Sequence, residues 1–373
     1  MGFNKLLVRS GFFLGVLAPI IFTVFLVYSN SSSDRTVGLM EYNVENLFDA
    51  TDDGPEQKDV AFLPASIKTK QWKNEHCKGQ QGFFYELCAN LDWTQDKYEK
   101  KLSHIAQVIL GHDQEYGADI IVLEELENKR VMEDLWQLFL KDKGYLEPIH
   151  SESPGFRGID VGIISRFPLS SPAIVHPVLL NDQGAYSRDV LEARFKVSPD
   201  IELRVAANHW PSPASKTSAR LKAAAVLRKA IDQASLDGAY FVAMGDFNTL
   251  SEERPNPISD YLADSNMKDM STYPMVDMHL LIAQILHFMK GTHYYRGTWD
   301  HLDRVLLSKN FFQKDSLLQP IIDSFTILHK DFLLMDAHDG RATEKIPYRY
   351  DFFRAEGYSD HLPIALQLLL KAQ

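Results

Sequence analysis

An acid and an amide lie one residue apart at the end of an apolar run, in the segment Phe241-Val-Ala-Met-Gly-Asp246-Phe-Asn248. Residues 241–244 are apolar and strand-like, and Gly245 breaks the run. In an extended segment, residues two apart point to the same side, so Asp246 and Asn248 would present their oxygens to one point. Taken alone, the pattern also fits an ordinary strand followed by an Asx turn. A functional site is indicated only if comparable segments occur elsewhere in the chain.

Several other strand-like runs end in the same kinds of polar residue. These residues are Asn43, Glu45, Glu125, His209, Asp303, Asp360 and His361. Any one of them is more often a turn residue than a ligand, but their repeated occurrence at strand ends is hard to explain by turns alone. Carboxylate and amide oxygens, without paired cysteines or a His-x-x-x-His pair, suit Mg²⁺, Mn²⁺ or Ca²⁺ better than structural zinc. The sequence therefore predicts a divalent-metal site built from strand ends.

Strand-like and helical patterns alternate along the chain and would position these residues. Strands are predicted from residue 37 and at 119–126, 159–165, 191–197, 203–208 and 241–244, and helices at 98–109, 132–141 and 218–234. Residues 51–93 are loop-rich. Because no repeat or long linker divides the chain after Val37, we predict one α/β domain over residues 37–373, with insertions near 51–93 and 270–297.

Length and composition are those of a globular protein. The chain has 373 residues, of which 45% are hydrophobic and 24% charged, enough for one large domain or two small ones. The formal net charge of -11 argues against a surface that broadly attracts nucleic acid. Any polyanionic substrate would therefore need a local basic patch or a bound metal.

The amino terminus has the organisation of a membrane-targeting segment. A basic region at residues 1–10 precedes an uncharged stretch at 11–28 and a polar linker at 29–36. As a helix, residues 11–28 would reach about 27 Å, which is close to the hydrocarbon thickness. Positive charge before the stretch places the body of the chain outside the cytoplasm, in the periplasm or at the cell surface, either membrane-anchored or secreted. A cleaved signal peptide remains the alternative, and a buried helix of the domain is a third interpretation.

The only two cysteines, Cys77 and Cys88, lie in a polar, aromatic-rich segment. If the domain is exported, their pairing would close a loop of about ten residues and stabilise the fold by about 2–3 kcal/mol. We expect this disulfide. Two free thiols are the alternative, whereas a zinc site is poorly supported because His76 is the only nearby additional ligand.

Seven short motifs in order resemble the endonuclease/exonuclease/phosphatase superfamily of metal-dependent phosphoesterases, over residues 37–369. The motifs are Asn43-Val-Glu45, Val122-Leu-Glu-Glu125, Tyr186-Ser-Arg188, Asn208-His209, Gly245-Asp246-Phe-Asn248, Leu302-Asp303-Arg-Val and Ser359-Asp360-His361. The resemblance implies a four-layer α/β/β/α sandwich of two stacked mixed sheets flanked by helices, with the site at one rim. Seven motifs in order are far more specific than any one alone.

The resemblance also implies roles for the matched residues. Asn43 and Glu125 would form the core of a Mg²⁺ site, with Glu45 and Asp360 nearby, and Mn²⁺ or Ca²⁺ is possible there. Asp246 and Asn248 would position or activate the attacking water and hold a phosphate oxygen. A second group of residues would handle protons and phosphate. His361, oriented by Asp303, would act on the side of the attacking nucleophile. His209 would be the general acid for the leaving oxygen, with Asp160 as its best-matched orienting acid, and Arg188 would contact a phosphate. A surface salt bridge is the alternative for Arg188.

These residues predict a Mg²⁺-dependent phosphodiester hydrolase that acts outside the cytoplasm, most simply a nuclease. A sphingomyelinase-like or small-molecule phosphoesterase is the alternative, and a non-catalytic binding module is the competing class. Trp72 and residues 83–85 could stack on bases or merely cover the core. The expected partners are nucleic acid or another phosphodiester, and the membrane through the N-terminal segment, with the protein as a monomer.

Overall fold

The computed structural model describes residues 34–54, 59–114, 116–154, 157–264, 274–286, 291–337 and 344–372. The strands are β1 (Arg35–Leu47), β2 (Ile120–Leu126), β3 (Ile149–Ser151), β4 (Asp160–Ser165), β5 (Ile174–His176), β6 (Val190–Ser198), β7 (Ile201–His209), β8 (Tyr240–Asp246), β9 (Ala263–Asp264), β10 (Met275–Asp277), β11 (His293–Tyr295), β12 (Thr298–Asp300), β13 (Asp303–Ser308), β14 (Leu318–Ile327), β15 (Leu334–Asp336), β16 (Lys345–Pro347) and β17 (Ile364–Leu370). The α-helices are α1 (Lys70–His76), α2 (Gly82–Asn90), α3 (Gln95–Leu110), α4 (Lys129–Leu135), α5 (Thr217–Leu236) and α6 (Met278–Leu286). A π-helical turn at Trp136–Leu140 continues α4, and 3₁₀ turns occupy Lys141–Lys143, Lys309–Phe312 and Asp331–Leu333.

Most of the strands form two mixed sheets. The six-stranded sheet has the order β14-β17-β1-β2-β4-β3, and the seven-stranded sheet has the order β5-β6-β7-β8-β13-β10-β9. Strands β1 and β2 pair in parallel, as do β7 and β8. Strand β17 runs antiparallel to β1, and β13 runs antiparallel to β8. The ends of these six central strands therefore meet at one rim.

The central strands are apolar on both faces because each sheet is covered on both sides. In β8, Val242 and Met244 belong to the large core between the two sheets, whereas Phe241 and Ala243 pack in the smaller core beneath α5. A strand buried on both faces reads as a continuous apolar run rather than an alternating one. This explains why residues 241–244 are recognisable from the sequence.

Helices cover the outer face of each sheet. Helix α3 begins after the N-cap Thr94 and buries Tyr98, Leu102, Ile105 and Ile109, a spacing of three and four residues that faces the six-stranded sheet. Helix α4 lies on the same side, and α5 covers the seven-stranded sheet. The predicted architecture of two stacked mixed sheets flanked by helices is confirmed.

The amino-terminal predictions lie outside the described residues. This applies to the basic region at 1–10, to the stretch at 11–28 and to most of the linker at 29–36. Strand β1 begins at Arg35, two residues before the predicted start of the domain. Among the residues that the structure does describe, we find no helix with both the length and the apolar character needed to cross a membrane.

The segment predicted to be loop-rich contains two short helices, α1 and α2, joined by the Cys77–Cys88 disulfide. The sequence pattern does not predict these two helices because neither has an apolar face of its own. Helix α1 buries none of its residues, and α2 buries only Leu87, Cys88 and Ala89. The two sulfurs instead provide the centre of a small separate core. The expected disulfide is confirmed.

Replacing Cys77 and Cys88 together with serine should lower the free energy of unfolding by about 2–3 kcal/mol, because the open chain gains the entropy of an unclosed loop. Chemical unfolding of the wild-type and double-variant proteins measures this difference. The Cys88→Ser single variant, which leaves one free thiol, should be equally destabilised. A reductant should destabilise the wild type and leave the double variant unchanged, and equal stability of the two proteins without reductant would contradict the role of the bridge.

Candidate active site

The predicted site residues converge at the rim where the central strands end. Asn43, Glu45 and Glu125 lie near the ends of the parallel strands β1 and β2. In the other sheet, His209 ends β7 and pairs with Asp246, the last residue of β8. The antiparallel neighbours start at the same rim, since Asp303 opens β13 opposite Asp246, and His361 precedes β17. Their positions at one rim follow from the strand directions.

The backbone is distorted where several of these side chains leave the sheets. The pairing register shifts at the ends of β1 and β2, and Glu45, Asn46 and Glu125 have φ values of 54°, 55° and 65°. Asn248, just after β8, has a φ of 47°. Left-handed backbone costs a non-glycine residue about 1–3 kcal/mol and is concentrated at functional sites, where a bulge re-aims a side chain. The distortion turns these polar groups toward the rim.

Gly245 allows β8 to approach β7 closely. Its φ is 141°, and an added Cβ would overlap the backbone carbonyl of Asn208 on β7. Any larger residue would push the two strands apart at the point where they deliver Asp246 and His209. The glycine that interrupts the apolar run is therefore required by strand packing.

His361 and Asp303 form a buried pair at the centre of the rim. His361 Nδ1 lies 2.8 Å from one carboxylate oxygen of Asp303 and 3.0 Å from the other. Burial opposes the charged imidazole, but Asp303 and then Asp360 and Asp246 raise the pKa of His361 well above its usual range. With Nδ1 held by Asp303, Nε2 is the nitrogen left to face a substrate. The predicted orienting role of Asp303 agrees with this geometry.

His209 lies on the opposite side of Asp246 and has a different electrostatic environment. Its Nε2 is 3.7 Å from Asp246 and 3.9 Å from Glu125, and its Nδ1 has no hydrogen-bond partner among the described residues. Burial, reinforced by Arg188 and Arg157, lowers the pKa of His209 well below its usual range. His209 is therefore favoured as a neutral ring, whereas a general acid must carry its proton before the reaction.

Asp246 and Asn248 form one hydrogen-bonded unit with Asn43. Asn248 donates its backbone N–H to Asp246 at 2.8 Å and its side-chain amide to the other oxygen at 2.9 Å. The Asn43 amide donates to that second oxygen across the two sheets at 3.2 Å. Burial, followed by repulsion from Asp303, raises the pKa of Asp246 to about 7. A carboxylate with this pKa can accept a proton near neutral pH.

Glu125 presents an open carboxylate oxygen to the cleft. The backbone N–H of Asn46 donates to Oε2 at 2.8 Å, while Oε1 forms no closer ion pair with the described residues than the 3.9 Å approaches of Arg157 and His209. The cleft has a volume of about 610 Å³ and is also lined by Asp360, His361 and Asp246. Glu125 is therefore free to bind a cation or a substrate there.

Glu45 differs from the other predicted metal ligands because both of its oxygens already have partners. Arg349 donates to one oxygen at 2.5 Å, and the backbone N–H groups of Tyr350 and Asp360 donate to the other at 3.0 and 3.1 Å. Arg349 also lies 3.5 Å from the Asp360 carboxylate. Glu45 thus fixes the loop that carries Asp360, and a role as a metal ligand stays a prediction.

Two residues matched by resemblance have other partners in this structure. Arg188 donates to the backbone carbonyls of His209, at 3.1 Å, and Trp210. It therefore supports the end of β7, and a phosphate contact stays a prediction. Asp160 accepts hydrogen bonds from the backbone and hydroxyl of Ser153. The expectation that Asp160 orients His209 is not met, since no hydrogen bond joins them among the described residues.

Beneath the site, Glu41 of β1 and Glu124 of β2 are fully buried between the sheets. Among the described residues, no other group donates a hydrogen bond to their four carboxyl oxygens, so the two carboxyls have only each other as hydrogen-bond partners. Burial, with repulsion from Asp303, raises the pKa of both carboxyls well above their usual range. Both are therefore favoured in the neutral form. Glu124 faces the core, whereas the neighbouring Glu125 faces the cleft.

The donor set at the rim fits a hard divalent cation. Oxygen atoms of Glu125 and Asp360 face the cleft, and Asn43 supplies an amide next to Asp246. The ligand atoms of Asp246, Asp303 and His361 lie within 4.8 Å of one another, as do those of His293, Asp360 and His361. Such oxygen-rich sets suit Mg²⁺, Mn²⁺ or Ca²⁺, whose charge would offset the excess of carboxylates.

Sequence reasoning missed four residues around the site. Arg157 and Arg349 line the cleft with side chains 43% and 56% exposed, so both can reach a bound anion. The His293 ring lies 4.7 Å from that of His361 and is tilted against it by 38°. Lys101 is fully buried, with its ammonium 3.9 Å from the centre of the Tyr350 ring. None of the four lies at the end of a central strand, so a search for polar residues at strand ends could not find them.

Comparisons with known proteins agree with this geometry. The model of the endonuclease/exonuclease/phosphatase family matches residues 84–370. No curated protein matches the chain.

Solved structures share the fold at low sequence identity. A family protein from Bacteroides thetaiotaomicron is 14% identical with a TM-score of 0.53, over 91% of this chain and 99% of that one. ANGEL2, described as a 2',3'-cyclic phosphatase, is 12% identical with a TM-score of 0.51, over 91% and 96%. The human Nocturnin catalytic domain with a bound sulfate anion is 14% identical with a TM-score of 0.50, over 89% and 93%.

Proposed function

Because the chain belongs to the endonuclease/exonuclease/phosphatase family, whose members are phosphoesterases, we propose that it is a divalent-metal-dependent phosphodiester hydrolase. The observation that carries this proposal is the Asp303–His361 pair at one rim with Asp246 and the open carboxylate of Glu125. A phosphodiester is an anion, so its hydrolysis needs positive charge at the phosphate, a base for water and a proton for the leaving oxygen. The rim contains groups suited to each need.

Glu125, Asn43 and Asp360 are the residues that would hold the cation, with Mg²⁺ preferred and Mn²⁺ or Ca²⁺ possible. When bound, the cation would neutralise negative charge on the non-bridging phosphate oxygens. Arg157 and Arg349, both exposed in the cleft, supply further positive charge to the same anion. Glu45 keeps Asp360 and Arg349 in place through its three hydrogen bonds.

Asp246 is the proposed base for the attacking water. Its raised pKa lets it accept a proton near pH 7, and the amides of Asn43 and Asn248 fix the orientation of its carboxylate. His209, favoured as a neutral ring 3.7 Å from Asp246, lies on this water side of the site. His361, favoured as an imidazolium through Asp303, donates a proton from Nε2 to the leaving oxygen. This division reverses the histidine roles expected from the sequence.

A nucleic acid is the proposed substrate. The cleft combines two exposed arginines with Tyr295, whose side chain is exposed and can stack on a base. The net charge of -11 makes such a local cationic patch necessary. In this proposal the protein acts as a monomer outside the cytoplasm, attached through residues 11–28 or released. The Cys77–Cys88 disulfide supports that location, because structural disulfides persist mainly in oxidising compartments.

Hydrolysis of a panel of phosphodiesters tests the function. The purified protein should cleave plasmid DNA or RNA with Mg²⁺ and lose this activity with a chelator. Cleavage of sphingomyelin or of a cyclic nucleotide, without cleavage of DNA or RNA, would favour the lipid or small-molecule alternative. Binding of these compounds without turnover of any, including bis(4-nitrophenyl) phosphate, would favour the non-catalytic class.

Replacing Glu125 with glutamine should weaken Mg²⁺ binding at least about tenfold, because a neutral amide loses the charge that holds a hard cation. Calorimetric titration with Mg²⁺ measures the change. Glu124→Gln is the matched control, since Glu124 is already favoured as a neutral group and faces the core. Unchanged affinity in Glu125→Gln, or equal losses in the two variants, would contradict the assignment.

A further inference from the structure

A second cavity, here called the side pocket, lies directly beside the catalytic cleft. Its walls are β15, Lys345 of β16, residues 348–354 and 356, and Phe83 of α2. The volume of the side pocket is about 770 Å³, compared with about 610 Å³ for the cleft, and the two cavities share Met335 and Arg349. A group bound in the side pocket would therefore lie next to a phosphate bound in the cleft.

The side pocket presents aromatic faces to solvent. Phe83 is 51% exposed and Phe353 is 40% exposed, and both line the side pocket. Large aromatic side chains that stay exposed in a concave surface indicate a site that a ligand covers. Because Phe83 is exposed, it does not cover the core, which was the alternative interpretation of residues 83–85.

Ordered backbone carries both exposed rings. Phe83 lies in α2, which the disulfide links to α1. Phe353 lies in a tight loop where the Asp351 carboxylate accepts hydrogen bonds from the backbone N–H groups of Phe353 and Arg354, at 3.0 and 3.1 Å. Groups that are already held in place lose less conformational entropy when a ligand binds.

The charges in the wall of the side pocket are balanced. Each of the three cationic side chains in its described wall pairs with a carboxylate, in Arg349–Glu45, Lys345–Asp336 and Arg354–Asp351. Positive charge is therefore not in excess there, and a phosphate would gain little from the pocket itself. A planar, uncharged group that covers the aromatic faces fits this wall better.

Arg349 connects the aromatic wall to the cleft. Its guanidinium lies 5.9 Å from the centre of the Phe83 ring and 3.5 Å from the carboxylate of Asp360, which borders the cleft. A nucleotide has the same arrangement, because a planar base is joined through its sugar to an anionic phosphate. With the phosphate at Arg349, the base of the adjoining nucleotide would reach Phe83.

We propose that the side pocket binds an unpaired base next to the scissile phosphate, with Phe83 and Phe353 as the stacking residues. This inference rests on the proposed nucleic-acid substrate and narrows it to single strands or single-stranded ends. Bases inside a duplex are already stacked and paired, so placing one in the pocket would require unstacking it. Since every base has an aromatic face, binding should show little sequence preference.

Binding of a fluorescently labelled single strand of about ten nucleotides tests the pocket. Phosphorothioate links slow cleavage, so the Kd can be measured by anisotropy with the full-length protein in Mg²⁺. Phe83→Ala and Phe353→Ala should each raise the Kd at least about fivefold, the lower range for loss of one base–aromatic stack. Both side chains are exposed, so both variants should fold, and thermal unfolding checks this.

Phe84→Ala is the matched control. Phe84 follows Phe83 in α2 and is 66% exposed, but it is not among the described residues that line the side pocket or the cleft. Its variant should bind the strand like the wild type. A strand of the same length without bases should bind the wild type and Phe83→Ala equally, because no base is present to stack. The proposal is overturned if the wild type does not bind the strand, if Phe83→Ala binds it like the wild type, or if Phe84→Ala loses as much affinity.

The side pocket and the proposed hydrolase would fail in different ways. Cleavage of DNA by the wild type, together with an unchanged Kd in Phe83→Ala, would keep the hydrolase and remove the pocket. Binding that depends on Phe83, without cleavage of unmodified strands, would keep the pocket and remove the hydrolase. Equal losses of binding to phosphatidylcholine vesicles in Phe83→Ala and Phe84→Ala, with unchanged oligonucleotide binding, would identify a membrane-contacting surface and overturn the proposal.

Discussion

Replacing His361 with alanine should slow the hydrolysis of a natural phosphodiester at least about 10²-fold, the lower range for loss of a general acid or base. The structure gives the reason: Nδ1 is fixed by Asp303, which leaves Nε2 as the donor on the cleft side. Turnover at saturating Mg²⁺ and substrate is the appropriate measurement. Unfolding should be followed in parallel, because the substitution leaves Asp303 buried without its partner.

Asp303→Asn tests whether the pair works as a unit. The amide keeps the shape of the carboxylate but loses its charge, so the pKa of His361 should fall. Since the protonated ring is the active form, activity that depends on it is lost as pH rises through the pKa of His361. The alkaline limb of the pH–rate profile should therefore move to lower pH in Asp303→Asn. The double variant should be little slower than His361→Ala alone, because residues that act on one transition state are strongly non-additive.

Asp300→Asn provides the matched control for this pair. Asp300 also borders the cleft and lies three residues before Asp303, but its carboxylate is not a partner of His361 in the part of the chain that the structure describes. Its pH–rate profile should therefore keep the wild-type alkaline limb. If Asp300→Asn shifted this limb as far as Asp303→Asn, the effect would be one of general charge rather than of the pair.

The sequence was most informative where structure depends on local periodicity. Central strands such as β8 are apolar throughout because both faces are covered, and polar residues at their ends stand out against that run. Asp246, Asn248 and His209 were located in this way. Strand direction then brings their side chains to one rim, so the gathering of the site also follows from the sequence pattern.

Contacts between distant segments could not be predicted from periodicity. Arg349 meets Glu45 across 304 residues and changes the interpretation of Glu45 from an open ligand to a hydrogen-bonded support. The charge states of His209 and His361 were equally hidden, because they depend on burial and on charged residues from distant segments. At His209, burial and the nearby Arg188 and Arg157 all lower the pKa. At His361, burial lowers the pKa but the Asp303 carboxylate raises it, and only the packed structure shows that the effect of Asp303 is larger.

The helices of the 51–93 segment show a different limit. Helix α1 has seven residues and buries none of them, and α2 has nine residues and buries only three consecutive ones, so neither shows the amphipathic spacing of a predictable helix. Isolated helices of this length are marginal in water, and tertiary links must hold them. Here the disulfide is such a link. The sequence could indicate the covalent link but not the secondary structure that depends on it.

A substrate with a good leaving group should separate the roles of the two histidines. Nitrophenolate departs without being protonated, so bis(4-nitrophenyl) phosphate makes a proton donor dispensable. If His361 protonates the leaving oxygen, the loss of about 10²-fold or more in His361→Ala should become much smaller with this substrate. His209→Ala should stay equally slow with both substrates, because His209 lies on the water side, next to Asp246. Single-turnover rates of both variants on DNA and on the nitrophenyl diester give the comparison.

The opposite result would restore the roles expected from the sequence, in which His209 is the general acid. Rescue of His209→Ala alone would require His209 to be protonated in the working enzyme, although burial lowers its pKa well below the usual range. A bound phosphate would have to supply that stabilisation, since its negative charge favours an imidazolium at short range. If both variants were rescued equally, neither histidine could be assigned as the proton donor. His209 would then be a strand-end histidine that only packs the rim, and His361 would act through its positive charge alone.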